Sequence, residues 1–178
     1  MRRELAQKLF DKYPTLFRKT SSPFNEHEFE CGDGWYEIID NACLLITQAV
    51  RNNESSLKRL QSIPAEYWCT DPSIAYKNKS LTEQIKEEEQ LLLISIDELP
   101  VIAQIKEKFG NLIIFTDRCN DYQRGVFDMV EAMSSFICEK CGCTGKTYEI
   151  GWHRTLCETH AKLSYTQEQL EKYNNKFK

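Results

Sequence analysis

The C-terminal part of the chain carries cysteine and histidine residues at the spacing of a metal site. Cys138 and Cys141 form a CxxC pair, and Cys157 and His160 form a CxxH pair after fifteen intervening residues. A two-residue gap lets both side chains of a pair face one ion, and the longer gap has room for a hairpin that returns the second pair to the first. These four residues predict a tetrahedral zinc site.

Two neighbouring residues leave the ligand set open. Cys143 and His153 lie inside the same segment, and either can replace a member of the predicted set. Because protein atoms then fill all four positions, none remains for a zinc-bound water, and the zinc (Zn²⁺) is expected to be structural. An accidental spacing in a cysteine-rich chain, with no metal bound, is the alternative. The order of cysteine knuckle, hairpin and helix is similar to a treble-clef zinc finger.

A second cluster, residues 25–35, combines His27 with several carboxylates. A histidine among carboxylates can serve as a general acid or base or as a second metal site, and His27, Asp33 and Glu37 are the candidates for such a role. Acidic residues before a helix also oppose the positive end of the helix dipole, and we favour this structural explanation. The glycines on both sides of Asp33 are expected to adopt positive φ where the helix begins.

Helical periodicity is clear in three segments. An amphipathic helix is predicted from residue 4 to Pro14, which ends it, and a second over residues 35–51. A third is predicted from Tyr122 to Ile137, directly before the first metal ligand. The apolar positions of the second helix are Trp35, Ile38, Ile39, Ala42, Leu45, Ile46, Ala49 and Val50.

The pattern between these helices is weaker. Residues 112–115 are predicted to form a buried strand, because β-branched and aromatic residues dominate them. A strand in the low nineties and then a helix capped by Gly110 are predicted before it, and a hairpin across residues 109–111 is the competing interpretation. Residues 52–80 are predicted to be loop or short helix.

These elements predict an α+β fold: a helical core with a small β-sheet and a C-terminal treble-clef-like zinc module. We expect a core domain over residues 1–136, with an insertion at 52–90, and a zinc-binding module over residues 137–178. A module of about forty residues cannot bury a sufficient core by itself, so metal binding is expected to supply part of its folding free energy.

The composition restricts the class of protein. Of 178 residues, 41% are hydrophobic and 28% are charged, which excludes collagen-like and low-complexity chains. No segment is apolar enough for a membrane helix, and the N-terminus lacks the apolar core of a signal peptide, so we expect no membrane partner and a cytoplasmic location. A reducing compartment favours thiols and metal ligands over disulfides for the eight cysteines.

Three segments together resemble a set of uncharacterised bacterial and phage proteins. The segments are ECGDGW at Glu30–Trp35, QIKEKFGNL at Gln104–Leu112, and the CxxC pair followed by Gly151-Trp152 and Thr155-Leu156-Cys157. The resemblance spans roughly residues 25–161 and implies a bacterial or phage origin. It implies no activity.

The leading hypothesis for function is a non-enzymatic, zinc-stabilised protein that binds another protein. The sequence contains no GxSxG, Walker, GxGxxG or HExxH motif. An immunity-type inhibitor of a basic toxin, or a phage or prophage modulator of a host protein, fits a small chain with a net charge of −4.

Two alternatives remain open at this point. Nucleic-acid binding through the zinc module is one, although residues 136–178 hold only seven Lys/Arg against five Asp/Glu. The charge of three thiolates and one zinc reduces this excess of positive charge to about +1, which is too small to favour phosphate binding. A metal-dependent, nuclease-like enzyme that uses His27 or His153 is the other.

Overall fold

The described residues form two compact units. The first comprises Met1–Leu45 and Pro100–Lys178, and the second comprises Ile46–Leu99. The predicted boundary between residues 136 and 137 stays a prediction. The structure is a computed structural model, and it describes residues 1–18, 29–64 and 80–176.

Helices and two small sheets are both present, which confirms the predicted α+β class. The helices are α1 (Arg3–Lys12), α2 (Tyr36–Ile46), α3 (Gln48–Gln61), α4 (Leu81–Asp97), α5 (Asp121–Ser134), α6 (Glu158–Ser164) and α7 (Gln167–Lys176). The strands are β1 (Phe29–Glu30), β2 (Ile102–Lys108), β3 (Asn111–Thr116), β4 (Lys146–Tyr148) and β5 (Arg154–Leu156).

The larger sheet has the order β1-β2-β3, with β1 parallel to β2 and β2 antiparallel to β3. The hairpin interpretation of residues 109–111 is therefore confirmed, and the prediction of a helix that ends at Gly110 is wrong. A bulge between Ile102 and Gln104 shifts the register. It leaves Ile102 and Ile105 both buried at a spacing of three residues, which imitates the period of a helix.

In the second unit, the predicted strand in the low nineties is also wrong, because those residues belong to α4. A capping box of Ser80 and Glu83 begins this helix, and a capped start favours a helix over a strand. The described part of residues 52–80 is helical as far as Gln61, where a loop or short helix was predicted. Residues 65–79 lie outside the described residues.

The helix predicted over residues 35–51 is interrupted. A 3₁₀ turn at Asp33–Trp35 precedes α2, and Thr47 separates α2 from α3. Trp35 and Ile39 are fully buried, as the periodicity predicts. Leu45, at 39% exposure, and Ala49 are exposed and do not belong to the core. The helices predicted at residue 4 and at Tyr122 are present as α1 and α5, but α5 ends at Ser134, short of the predicted end at Ile137. Ile137 instead forms an isolated β-bridge with Thr144.

Two further observations complete the fold. Side chains of α5 cap the backbone of β3, since Ser134 Oγ accepts from the Leu112 N–H at 2.9 Å and Glu131 accepts from the Ile114 N–H at 2.8 Å. Among the described helices, none is long and apolar enough to cross a membrane.

We predict that Ile39→Asp lowers the free energy of unfolding by about 3 kcal/mol or more, because it places an unpaired charge in the core. Chemical denaturation followed by circular dichroism measures this change. Leu45→Asp on the same helix is the matched control and is expected to cost far less. Equal destabilisation by both variants would contradict the burial pattern of α2.

Candidate metal centre

Four side chains converge at the start of the C-terminal region. Cys138, Cys141, Cys157 and His160 each offer one ligand atom, and these atoms all lie within 4.8 Å of one another. The Cys141 and Cys157 sulfurs are 3.8 Å apart. The Nδ1 atom of His160 lies 3.6 Å from the Cys138 sulfur and 3.2 Å from the Cys157 sulfur. The arrangement can bind a metal ion.

The first pair sits on a tight knuckle directly after α5. The Cys138 N–H donates to the Cys143 carbonyl at 2.8 Å, and the Gly142 N–H donates to the Cys138 carbonyl at 2.9 Å. Gly142 has φ +78°, a left-handed conformation that favours glycine. Cys138 is fully buried, whereas Cys141 is exposed.

The second pair sits at the start of α6. Strands β4 and β5 pair antiparallel, with Lys146 opposite Leu156, and this hairpin returns the chain to the knuckle. Cys157 is the N-cap of α6, and His160 follows in its first turn. Knuckle, hairpin and helix therefore appear in the predicted order.

The backbone around the cluster acts on the thiols. The His160 N–H donates to the Cys157 sulfur and lowers the pKa of that thiol to about 6, so it is largely ionised at neutral pH. Burial raises the pKa of the Cys138 thiol. A bound cation would offset that cost, because metal ligation deprotonates a thiol outright.

The two alternative ligands, Cys143 and His153, are not members of the four-residue cluster. The Cys143 thiol is exposed, and it is the backbone carbonyl of Cys143 that supports the knuckle. The His153 ring packs edge-on against Phe109, with centroids 6.2 Å apart.

The knuckle also contacts the ECGDGW segment, a contact that sequence reasoning missed. Gly32 and Gly34 do not have positive φ, so that expectation was wrong. A Cβ on Gly34 would overlap the Cys138 carbonyl oxygen and lie 2.7 Å from the Cys141 nitrogen, and a Cβ on Gly32 would overlap the Glu139 carbonyl oxygen. Both glycines are needed for close approach of two backbones.

Hydrogen bonds fix this contact. The Gly34 N–H donates to the Glu139 carbonyl at 2.9 Å, and the Trp35 indole N–H donates to the Ile137 carbonyl at 2.8 Å. Residues about one hundred positions apart in the chain are thereby held together. In the sequence, the signal that could have revealed this contact is the pair of glycines, Gly32 and Gly34, shortly before the buried Trp35.

The β2–β3 turn contacts the hairpin of the metal module in the same way. Thr155 Oγ1 donates to the Gly110 carbonyl at 2.5 Å, and the Trp152 indole N–H donates to Glu107 at 3.0 Å. The second Glu107 oxygen accepts from the Gly110 N–H at 2.6 Å. All three segments named in the sequence analysis therefore meet at the metal module.

A partly buried ion pair, which was not predicted, joins the knuckle to β5. The Glu139 side chain is 8% exposed, and the Arg154 guanidinium donates to it from two nitrogens at 2.9 and 3.3 Å. The Glu139 N–H donates to the Thr155 carbonyl at 2.9 Å. These contacts fasten the knuckle to β5.

The acid/base candidates are not brought together in the described residues. His27 lies outside them. Asp33 accepts hydrogen bonds from the Arg2 N–H at 2.7 Å and from the Arg2 guanidinium at 2.5 Å. These bonds lower the pKa of Asp33 against the opposing effect of desolvation. Glu37 is exposed on α2.

Comparison with known proteins finds no match to a family model, to a curated protein or to a solved structure.

We predict that Gly34→Ala lowers the free energy of unfolding by about 1–3 kcal/mol, because the new methyl group overlaps the knuckle backbone. Thermal and chemical denaturation of the metal-loaded protein measure the loss. Gly125→Ala is the control, since a Cβ there meets no atom within 4 Å on a helix that alanine favours. A Gly34→Ala protein as stable as wild type would contradict the close approach.

Proposed function

We propose that this chain binds one structural zinc ion and acts by binding another protein. The observation that carries the first part is the spacing of the ligand atoms. Zinc–sulfur bonds of about 2.3 Å and tetrahedral angles place two sulfurs about 3.8 Å apart, and a sulfur and a nitrogen about 3.6 Å apart. The cluster has a sulfur–sulfur distance of 3.8 Å and sulfur–nitrogen distances of 3.6 and 3.2 Å, and all four ligand atoms lie within 4.8 Å of one another.

Three thiolates and one imidazole favour zinc over calcium or magnesium, which prefer oxygen ligands. Four protein ligands complete a tetrahedron and leave no position for a catalytic water, so the role we propose is structural. The small core beside the cluster supports this role. It has four buried members, Cys138, Tyr148, Leu156 and Ala161. A core of this size needs a metal or other cross-link to fold.

For the zinc site, we predict that wild type binds one zinc per chain and that Cys157→Ser binds far less. Elemental analysis after dialysis measures the content. Removal of zinc by a chelator is expected to lower the melting temperature and to weaken the packing of the C-terminal module. Cys143→Ser is the matched control and should keep its zinc. Wild type with well under one zinc per chain would contradict the site.

Protein binding is supported by the exposed aromatic residues that the metal module holds. Phe109 is 58% exposed and Trp152 is 64% exposed, and their rings stack with centroids 6.4 Å apart. Tryptophan is enriched at the energetic centres of protein interfaces. Neither ring is needed to fill the core, so their exposure favours a role in recognition.

The net charge of the chain supports a class of partner, and the absence of disulfides among the described cysteines supports a cellular compartment. The net charge of −4 supports a basic partner, such as a toxin neutralised by an immunity-type inhibitor, and a phage or prophage modulator of a host protein is equally in accord with it. The seven described cysteines form no disulfide, which supports a reducing, cytoplasmic setting in a bacterial or phage-infected cell.

We predict that the zinc-loaded chain, used as bait in an extract of its native host, retains a protein that also binds when purified. Isothermal titration calorimetry of the purified pair measures affinity, and the Cys157→Ser bait is expected to bind at least tenfold more weakly. Retention of nucleic acid instead, with affinity that falls steeply with salt, would favour the alternative. Metal-dependent cleavage of nucleic acid, lost in His153→Ala with zinc retained, would overturn the proposal.

A further inference from the structure

We infer that a surface of the first unit binds a lysine or arginine side chain of the partner protein. The surface comprises the rings of Phe109 and Trp152 and the carboxylates of Glu30 and Glu107, and we call it the aromatic–acidic surface. The inference rests on the proposed function and names the part of the chain that would carry it.

The first observation is the backbone of Phe109. Its φ is +53°, and that of Gly110 is +82°, so both central residues of the β2–β3 turn are left-handed. Asparagine or aspartate followed by glycine suits such a turn, whereas a bulky aromatic residue there is strained. The strained backbone places the Phe109 ring in solvent, so core packing does not explain the strain. Backbone strain that packing does not explain points to a functional role.

The second observation is that Trp152 is exposed and yet held in place. One oxygen of Glu107 accepts its indole N–H, and the other oxygen accepts the Gly110 N–H. The same carboxylate therefore fixes the indole ring and the turn that carries Phe109. Two rings held this way lose little conformational entropy when a partner binds.

The third observation is a cavity of about 320 Å³ beside the Trp152 ring. Its polar lining comprises Met1, which carries the N-terminal amino group, and the side chains of Glu30, Glu107, Glu139, Lys140, Trp152 and Arg154. The volume is enough to admit one long side chain of a partner. The exposed indole is part of the lining, so a side chain that occupied the cavity would contact it.

The charges of this lining are unevenly paired. Both cationic side chains of the lining pair with Glu139. The Arg154 guanidinium lies 2.9 Å and the Lys140 amino group 3.9 Å from its Oε1 atom. The amino group of Met1 donates to the carbonyls of Phe29 and Cys31. Among the described residues, no lysine or arginine pairs with Glu30 or Glu107. One oxygen of Glu30 accepts from the Gln104 side-chain amide at 3.0 Å.

A carboxylate that has no cationic partner, beside an exposed indole, is the chemistry that recognises an organic cation. The face of tryptophan attracts ammonium and guanidinium groups, and a nearby carboxylate adds a charge-assisted hydrogen bond. Lys108 already lies 5.7 Å from the Phe109 ring centre, so the free position for a partner's cation is on Trp152.

The test uses the full-length, zinc-loaded chain and a fluorescein-labelled hexa-arginine peptide as the probe, at physiological salt. Fluorescence anisotropy measures affinity, and the indole N–H signal of Trp152 in NMR spectra locates the peptide. We expect about fivefold weaker binding in Trp152→Ala and in Glu30→Gln. Glu149→Gln removes the same charge elsewhere and should change affinity little. A hexa-citrulline peptide, which lacks the charge, should bind weakly.

Phe109→Asn keeps the experiment informative if Trp152→Ala is unstable. Asparagine accepts the left-handed conformation, so this variant should melt no lower than wild type and still bind the peptide more weakly. Equal losses in Glu30→Gln and Glu149→Gln, or an unmoved Trp152 signal, would overturn the inference. A labelled oligothymidine that shifts the Trp152 signal more than the arginine peptide would assign the surface to nucleic acid instead.

Two different results would overturn the aromatic–acidic surface and the proposed function. A purified protein partner that binds wild type and Trp152→Ala equally would overturn the aromatic–acidic surface and leave protein binding intact. A chain that binds no protein partner, while its zinc content is one per chain, would overturn the proposed function.

Discussion

The geometry of the Cys138–Cys141 knuckle is the constraint on which the rest of the first unit depends. Four ligand atoms lie within 4.8 Å of one another at this knuckle, and the carbonyl groups of Ile137 and Glu139 accept hydrogen bonds from a distant segment of the chain. The loop before α2 binds those carbonyls through the Gly34 N–H and the Trp35 indole. A residue larger than glycine at position 34 would break the contact, because a Cβ there overlaps the knuckle backbone.

The same knuckle is tied to the larger sheet through a chain of polar contacts. Glu139 binds Arg154 on β5, the neighbouring Thr155 binds the Gly110 carbonyl, and Glu107 binds the Trp152 indole. The last two contacts join two hairpins that are short and, by themselves, marginal in stability. A metal bound at this cluster would therefore stabilise more than its own module, since it would fix the hairpin against which the β2–β3 turn packs.

This arrangement links metal binding to recognition. Phe109 and Trp152 are exposed, but each is positioned by an element that the metal module supports. A partner that meets a rigid aromatic surface pays less entropy than one that must order a loop. Structural zinc and protein binding are thus two parts of one proposal, in which the metal prepares the surface that the partner contacts.

The sequence by itself determined the elements whose signals are local. The CxxC and CxxH spacing, the helical periods that begin at Trp35 and Tyr122, and the α+β class all follow from neighbours in the chain. Only the tertiary structure decided that Gly32 and Gly34 allow close approach rather than positive φ, and that a bulge gives Ile102 and Ile105 a helical spacing within a strand. The reason is physical: these features depend on backbone contacts between segments far apart in sequence, and a local pattern of residue types does not record them.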